Sequence, residues 1–163
     1  VSTRPLKPED VRFIVIHCSA TSPKQDIGLA EIDRWHRQRG MLRVGYHRII
    51  RRDGTIEQGR SLNEPGAHAA GFNRQSVGVC LVGGVDVRNK PEDNFTPEQW
   101  ATLKSLSISL MALFPKARIV GHRDLSPDMN GDGVVDFSEW KKSCPSFDVA
   151  KWLSKTFPGG IPC

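Results

Sequence analysis

Three short apolar runs constrain the fold more than any other feature of the chain. Val11 to Cys18, Val77 to Val82 and Ala117 to Val120 are rich in β-branched residues. Runs of this kind are expected as strands buried on both faces, and such strands need a covering layer on each side. Tyr46 to Arg51 and Thr55 to Gln58 add a hairpin, because Asp53-Gly54 favours the tight turn that matches strand twist.

Helical stretches alternate with these strands. Asp26 to Gly40 predicts a helix with Ile27, Ala30, Trp35 and Arg39 on one loosely amphipathic face and Gly40 as its stop. Thr96-Pro97-Glu98-Gln99 is a helix start, with a Thr cap, a Pro in the first turn and a Gln completing the capping box. That helix is expected to run to Phe114, with Trp100, Leu103, Leu106, Leu110 and Leu113 inward. Phe147 to Phe157 predicts a last helix with Val149, Trp152, Leu153 and Phe157 apolar. Residues 1–10 read as an extended arm, and 59–76 as a loop long enough to be functional. The alternation predicts an α/β fold with a central mixed β-sheet flanked by helices. The chain has 163 residues, no internal repeat and no linker, which fits a single domain.

Charge narrows the partners. The net charge is +5, but one twelve-residue stretch, 128–139, holds four of the 18 acidic residues. Outside it 23 basic residues face 14 acidic ones, or +9. Such a surface favours polyanions, whether nucleic acid, anionic lipid or an anionic cell wall, and charge alone does not choose among them. A single Tyr and no arginine-rich tract argue against a nucleic-acid platform. No stretch approaches the roughly 18–20 apolar residues of a membrane span. Val1 to Asp10 has no secretory pattern, so synthesis is expected in the cytoplasm; separately, a monomer is expected. Cys18 and Cys80 lie within apolar runs and read as reduced, buried residues; a Cys144–Cys163 bridge stays open.

The stretch 128–139 has the spacing of a calcium loop. Position 1 is Asp128, 3 is Asn130, 5 is Asp132 and 6 is Gly133 for the sharp turn. Val134 at 7 offers its carbonyl, Asp136 stands at 9, and Glu139 at 12 can close the site with both oxygens. There is one such loop with little helix before it, so a structural clamp is expected rather than a switch. Without the ion, four packed carboxylates repel, and the loop is expected to loosen.

Zinc ligands are also at hand. His17 and His122 end apolar strands, and Cys144 follows the acidic loop. Catalytic zinc needs three protein ligands and an open position. Spacing alone does not select these three, since no short motif joins them. His36 reads as a surface helix residue, and His47 faces away from Tyr46. His68 lies in the long loop and could line a groove.

Six stretches together resemble the type 2 N-acetylmuramoyl-L-alanine amidase family, which includes peptidoglycan recognition proteins and phage lysozymes. They are Val15-Ile16-His17-Cys18-Ser19-Ala20-Thr21, Val44-Gly45-Tyr46-His47, Arg52-Asp53-Gly54-Thr55, Ser76-Val77-Gly78-Val79-Cys80-Leu81-Val82-Gly83-Gly84, Asn94-Phe95-Thr96-Pro97 and Cys144-Pro145-Ser146-Phe147-Asp148. They run in order, and the resemblance covers the chain from about residue 11 to 152. The resemblance implies that His17, His122 and Cys144 hold zinc, that Tyr46 and Lys142 are catalytic, and that His68 and Asn73 line the substrate groove. It implies a phage endolysin that hydrolyses the lactyl–L-alanine amide of peptidoglycan, made in the host cytoplasm and acting in the periplasm. Some members lose a zinc ligand and only bind peptidoglycan, but here the whole set is present. A phage lysozyme of the family also inhibits its phage's RNA polymerase; that added role stays an alternative here, below the enzyme reading because such an interface is specific to its partner. The acidic loop is a departure, inserted between two of the implied ligands. Calcium would hold its ends together.

Overall fold

The computed structural model describes residues 4–162, so a pairing of Cys163 lies outside the described residues. Five strands form one sheet: β1 (Phe13–Cys18), β2 (Arg48–Ile50), β3 (Ile56–Gln58), β4 (Ser76–Leu81) and β5 (Arg118–Gly121). Their spatial order is β3-β2-β4-β1-β5. β1 pairs in parallel with both β4 and β5, β2 pairs in parallel with β4, and only β3 runs antiparallel. The sheet is therefore mixed, as the alternation of elements implied. Gly54, at φ +86°, makes the β2–β3 turn where a side chain would be strained.

Three helices cover it: α1 (Leu29–Gln38), α2 (Pro97–Leu113) and α3 (Val149–Thr156). Strand alternation divides the core in two. Ile14, Ile16 and Cys18 join Val77, Val79 and Leu81 under Leu103, Leu106, Leu110 and Val149 of α2 and α3. On the other side Ile49, Cys80 and Val82 pack with Ile32 of α1, and Tyr46 lies against them.

α2 starts where the capping residues place it. Thr96 Oγ1 accepts the Gln99 N–H, and Gln99 Oε1 accepts the Thr96 N–H. Gln99 does more than cap. It is fully buried, and its Nε2 donates to the carbonyls of Ile50 (3.2 Å) and Val82 (2.8 Å). Arg52 also donates to its Oε1. One amide thus ties the α2 start to the ends of two strands.

Four expectations are corrected. Around α1, Ile27 and Trp35 pack inward as expected, beside Leu29, and the buried residues are Ile32 and His36, but Ala30 and Arg39 are exposed. His36 is not a surface residue: it is 7% exposed, because its Nδ1 accepts the Gly45 N–H at 2.9 Å. Leu113 is 53% exposed, and Phe114, beyond the helix end, fills the core instead. The arm is not extended throughout; Pro8–Asp10 forms one 3-10 turn, closed by Asp10 accepting the Lys7 N–H.

Gln99→Leu keeps the volume but takes one donor from each of two carbonyls, one acceptor from Arg52 and the acceptor of the Thr96 N–H, while the Ile50 carbonyl keeps the Val82 N–H and the Val82 carbonyl keeps Arg52. It is expected to lower stability by about 3 kcal/mol in urea denaturation. A loss below about 1 kcal/mol would show that the partners these groups retain suffice.

Candidate active site

Alternation along β1 turns His17 away from the α2–α3 core and toward Tyr46, and the imidazole is 1% exposed. β5 ends opposite Ile16 at Gly121, and the chain turns there because Asp124 accepts the Gly121 N–H at 2.7 Å. The resulting 3-10 turn, His122–Leu125, sets the His122 ring 4.5 Å from that of His17. A Cβ on Gly121 would lie 2.9 Å from Pro145, so glycine lets the returning chain approach. Cys144 then stands with Sγ 3.8 Å from His17 Nδ1, accepting the Cys18 N–H at 3.3 Å. The donor atoms of His17, His122 and Cys144 all lie within 4.8 Å of one another.

This donor set fits zinc: two imidazole nitrogens and one sulfur, with a side open to solvent. Burial, then the neighbouring His68, His122 and Lys142, push the His17 pKa well down. Burial and Lys142 do the same to His122. Both rings are therefore neutral near pH 7, as ligands must be. Without a metal, the hydrogen bond with the Cys18 thiol and burial push the Cys144 thiol well up. The site thus releases a proton on taking a cation.

A cleft of about 260 Å³ opens beside the triad, lined by His68, Phe72, His122, Ser126, Lys141 and Lys142. Lys142 is exposed on its wall. Tyr46 is half-buried with its ring 5.0 Å from that of His17. Burial, then the thiols of Cys80 and Cys144, push its phenol well above the usual range, so it stays a donor. His68 lines the cleft and also bonds back to His17, Nδ1 to Nε2 at 2.8 Å. Asn73 does not line the cleft; its Oδ1 accepts the N–H groups of His68 and Ala69 and shapes that loop. His47 is fully buried and structural, with Nδ1 accepting from Gly78 and Nε2 donating to the Glu64 carbonyl.

The acidic loop leaves after His122 and returns before Cys144 through a tied neck. Arg123 N–H donates to the Cys144 carbonyl at 2.9 Å, and Lys141 N–H donates to Ser126 Oγ at 3.1 Å. The Arg123 guanidinium lies 3.8 Å from the Trp140 ring centroid. A cation–π contact of this kind contributes about 0.5–2 kcal/mol. Sequence reasoning missed this neck, since neither residue carries a motif.

Inside the loop the carboxylates bind its own backbone. Asp128 accepts from Gly131 and Gly133, Asn130 from Asp132, Asp132 from Val134, and Asp136 from Ser138. Glu139, 9% exposed, accepts from Met129, Asn130 and Asp136. Among the described residues, the zinc-type triad is the only group of three or more His, Cys, Asp or Glu side chains whose donor atoms converge.

Residues 7–146 match the N-acetylmuramoyl-L-alanine amidase family, and the chain belongs to it. Among its relatives are two endolysins. That of Enterobacteria phage K11 is 44% identical over 147 residues, covering 90% of this chain and 88% of the relative. That of Escherichia phage T7 is likewise 44% identical over 147 residues, with the same coverage of both chains. A solved structure, the N-acetylmuramoyl-L-alanine amidase LysC from Clostridium intestinale, superposes with a TM-score of 0.70 at 28% identity. That match covers 94% of this chain and 89% of the other.

Burial makes one pH dependence predictable. The folded-state pKa of His47 is lowered from 6.5 to about 4, chiefly by desolvation. Its contribution to stability is complete above pH 6.5 and is lost as the pH falls toward 4, because only the unfolded chain binds the proton there. The loss approaches about 1.4 kcal/mol per pH unit. His47→Gln should flatten the fall in unfolding free energy between pH 6.5 and 4 in the metal-free protein, and parallel curves would contradict this.

Proposed function

We propose that this endolysin-type amidase binds zinc through His17, His122 and Cys144 and hydrolyses the amide between the muramic acid lactyl group and L-alanine in peptidoglycan. The observation that carries the reading is the convergence of two neutral imidazoles and a sulfur at the mouth of a cleft walled by Lys142. Zinc held there would act as a Lewis acid, lowering the pKa of water toward about 7 and polarising an amide carbonyl. The chain's own groups supply the rest. The Lys142 ammonium and the protonated Tyr46 phenol serve as donors to the carbonyl oxygen as it gains charge, and Lys142 serves in proton transfer to the leaving amine. His68 and the loop shaped by Asn73 line the groove that receives substrate. The basic surface, +9 outside the acidic loop, favours anionic wall and lipopolysaccharide. The enzyme is read as a monomer, made in the host cytoplasm and acting on periplasmic peptidoglycan.

Mass spectrometry of digested peptidoglycan tests the reaction. Free lactyl carboxylates and stem peptides beginning at L-alanine are expected; cleavage only between sugars would contradict the reading. Cys144→Ser is expected to abolish release, and Lys142→Ala to lower kcat by about 10²–10³. Full activity in Cys144→Ser would overturn the zinc assignment.

We also propose that calcium occupies the loop formed by Asp128, Asn130, Asp132, the Val134 carbonyl, Asp136 and Glu139, as a clamp. The support is the spacing of oxygen donors around Gly133, whose φ of +85° makes the turn. Millimolar calcium should raise the Tm of the metal-free protein, and Glu139→Gln should remove that rise. An unchanged Tm in the wild type would defeat the assignment.

A further inference from the structure

A hydrogen-bonded line runs inward from the proposed zinc site. His17 Nδ1 faces Cys144 Sγ, while His17 Nε2 lies 2.8 Å from His68 Nδ1. His68 Nε2 lies 3.2 Å from Ser76 Oγ, and Ser76 Oγ lies 2.8 Å from the Phe72 carbonyl oxygen. The directions of these bonds follow from the last one. A carbonyl only accepts, so the single hydroxyl proton of Ser76 is committed to Phe72. Ser76 Oγ is left with lone pairs toward His68, so His68 Nε2 carries the proton. His68 Nδ1 is then an acceptor, and His17 Nε2 must carry the proton between the two rings. That leaves the His17 Nδ1 lone pair bare, on the side of the metal triad.

We infer that Ser76 and His68 are positioning residues that fix His17 in the one neutral tautomer able to ligate a metal through Nδ1. Three further features hold the line in place. Ser76 is fully buried at the start of β4, so water does not compete for its hydroxyl. His68 is kept neutral, its pKa lowered to about 3, chiefly by desolvation. Gly78 leaves the space its ring occupies: a Cβ there would lie 2.7 Å from the His68 ring. The Gly78 N–H is itself taken by His47 Nδ1, which fixes that residue against the sheet. His68 thus has a role apart from any contact with substrate. A ligating imidazole whose other nitrogen donates to a fixed acceptor is a better metal ligand, and losing that acceptor typically weakens binding 10–100-fold.

The inference rests on the zinc reading for its consequence but not for its geometry, and the experiment separates the two. Long-range ¹H–¹⁵N correlation spectra of the metal-free protein report each ring's tautomer directly. His17 and His68 are both expected to carry the proton on Nε2, with Nδ1 bare. A proton on Nδ1 of His17 would overturn the inference, whether or not zinc binds. Zinc affinity, measured by competition with a chromophoric chelator, tests the consequence. Ser76→Ala removes the acceptor of the His68 Nε2 proton and is expected to bind zinc about 10–100-fold more weakly. His68→Asn retains an acceptor oxygen near the Nδ1 position and should hold closer to wild type than His68→Ala. Equal affinities for wild type, Ser76→Ala and His68→Ala, with His17 still bare at Nδ1, would show that the line does not position the ligand. If Ser76→Ala fails to fold, the wild-type spectra and the His68 pair decide the matter. A wild type that binds no zinc, with the tautomers as expected, would refute the zinc assignment and leave the hydrogen-bonded line standing.

Discussion

The site depends on β1 being paired in parallel on both edges. β4 and β5 flank it, and the register matches Ile16 with Gly121 and His17 with Cys80. Because side chains alternate, a slip of one residue would exchange His17 with a core isoleucine. The apolar contacts of Ile14, Ile16 and Cys18 with α2 and α3 forbid that slip. Core packing on one face of the sheet therefore sets the position of a histidine on the other. The same register ends β5 where its next residue, His122, can reach the His17 ring.

Cys144 has no strand to place it. It is brought back by a neck of local contacts: the Arg123–Cys144 and Lys141–Ser126 hydrogen bonds and the Arg123–Trp140 stack. Closing a loop of this length costs only slowly growing entropy, so a few contacts at its base suffice to hold the ends. The acidic loop beyond the neck can then carry exposed side chains such as Met129 and Phe137 without moving Cys144. The neck therefore aligns Cys144 whatever the loop beyond it binds, and the proposed calcium clamp would act on the loop alone.

Much of this was legible in the residues. The buried runs, the Asp53-Gly54 hairpin and the Thr96 cap each have a local physical cause, and each appears where that cause put it. The convergence of His17, His122 and Cys144 was not legible from spacing, since 105 residues separate the two histidines. It came from resemblance; the parallel pairing now explains the two histidines, and the neck the cysteine. The failures share a reason as well. His36 looked exposed because histidine is polar, but a backbone N–H from Gly45 satisfied it inside. Leu113 looked buried because leucine is apolar, but Phe114 took the space. The role of Ser76 had no local cause to read, since its partners come from the preceding loop and turn.

Zinc coordination lies at the centre of the account, and X-ray absorption at the zinc edge reads it without reference to turnover. One sulfur at about 2.3 Å and two imidazole nitrogens at about 2.0–2.1 Å are expected in the zinc-loaded protein, with the remaining shell light. A shell containing no sulfur, or more than one, would contradict the assignment of His17, His122 and Cys144 as a single metal centre.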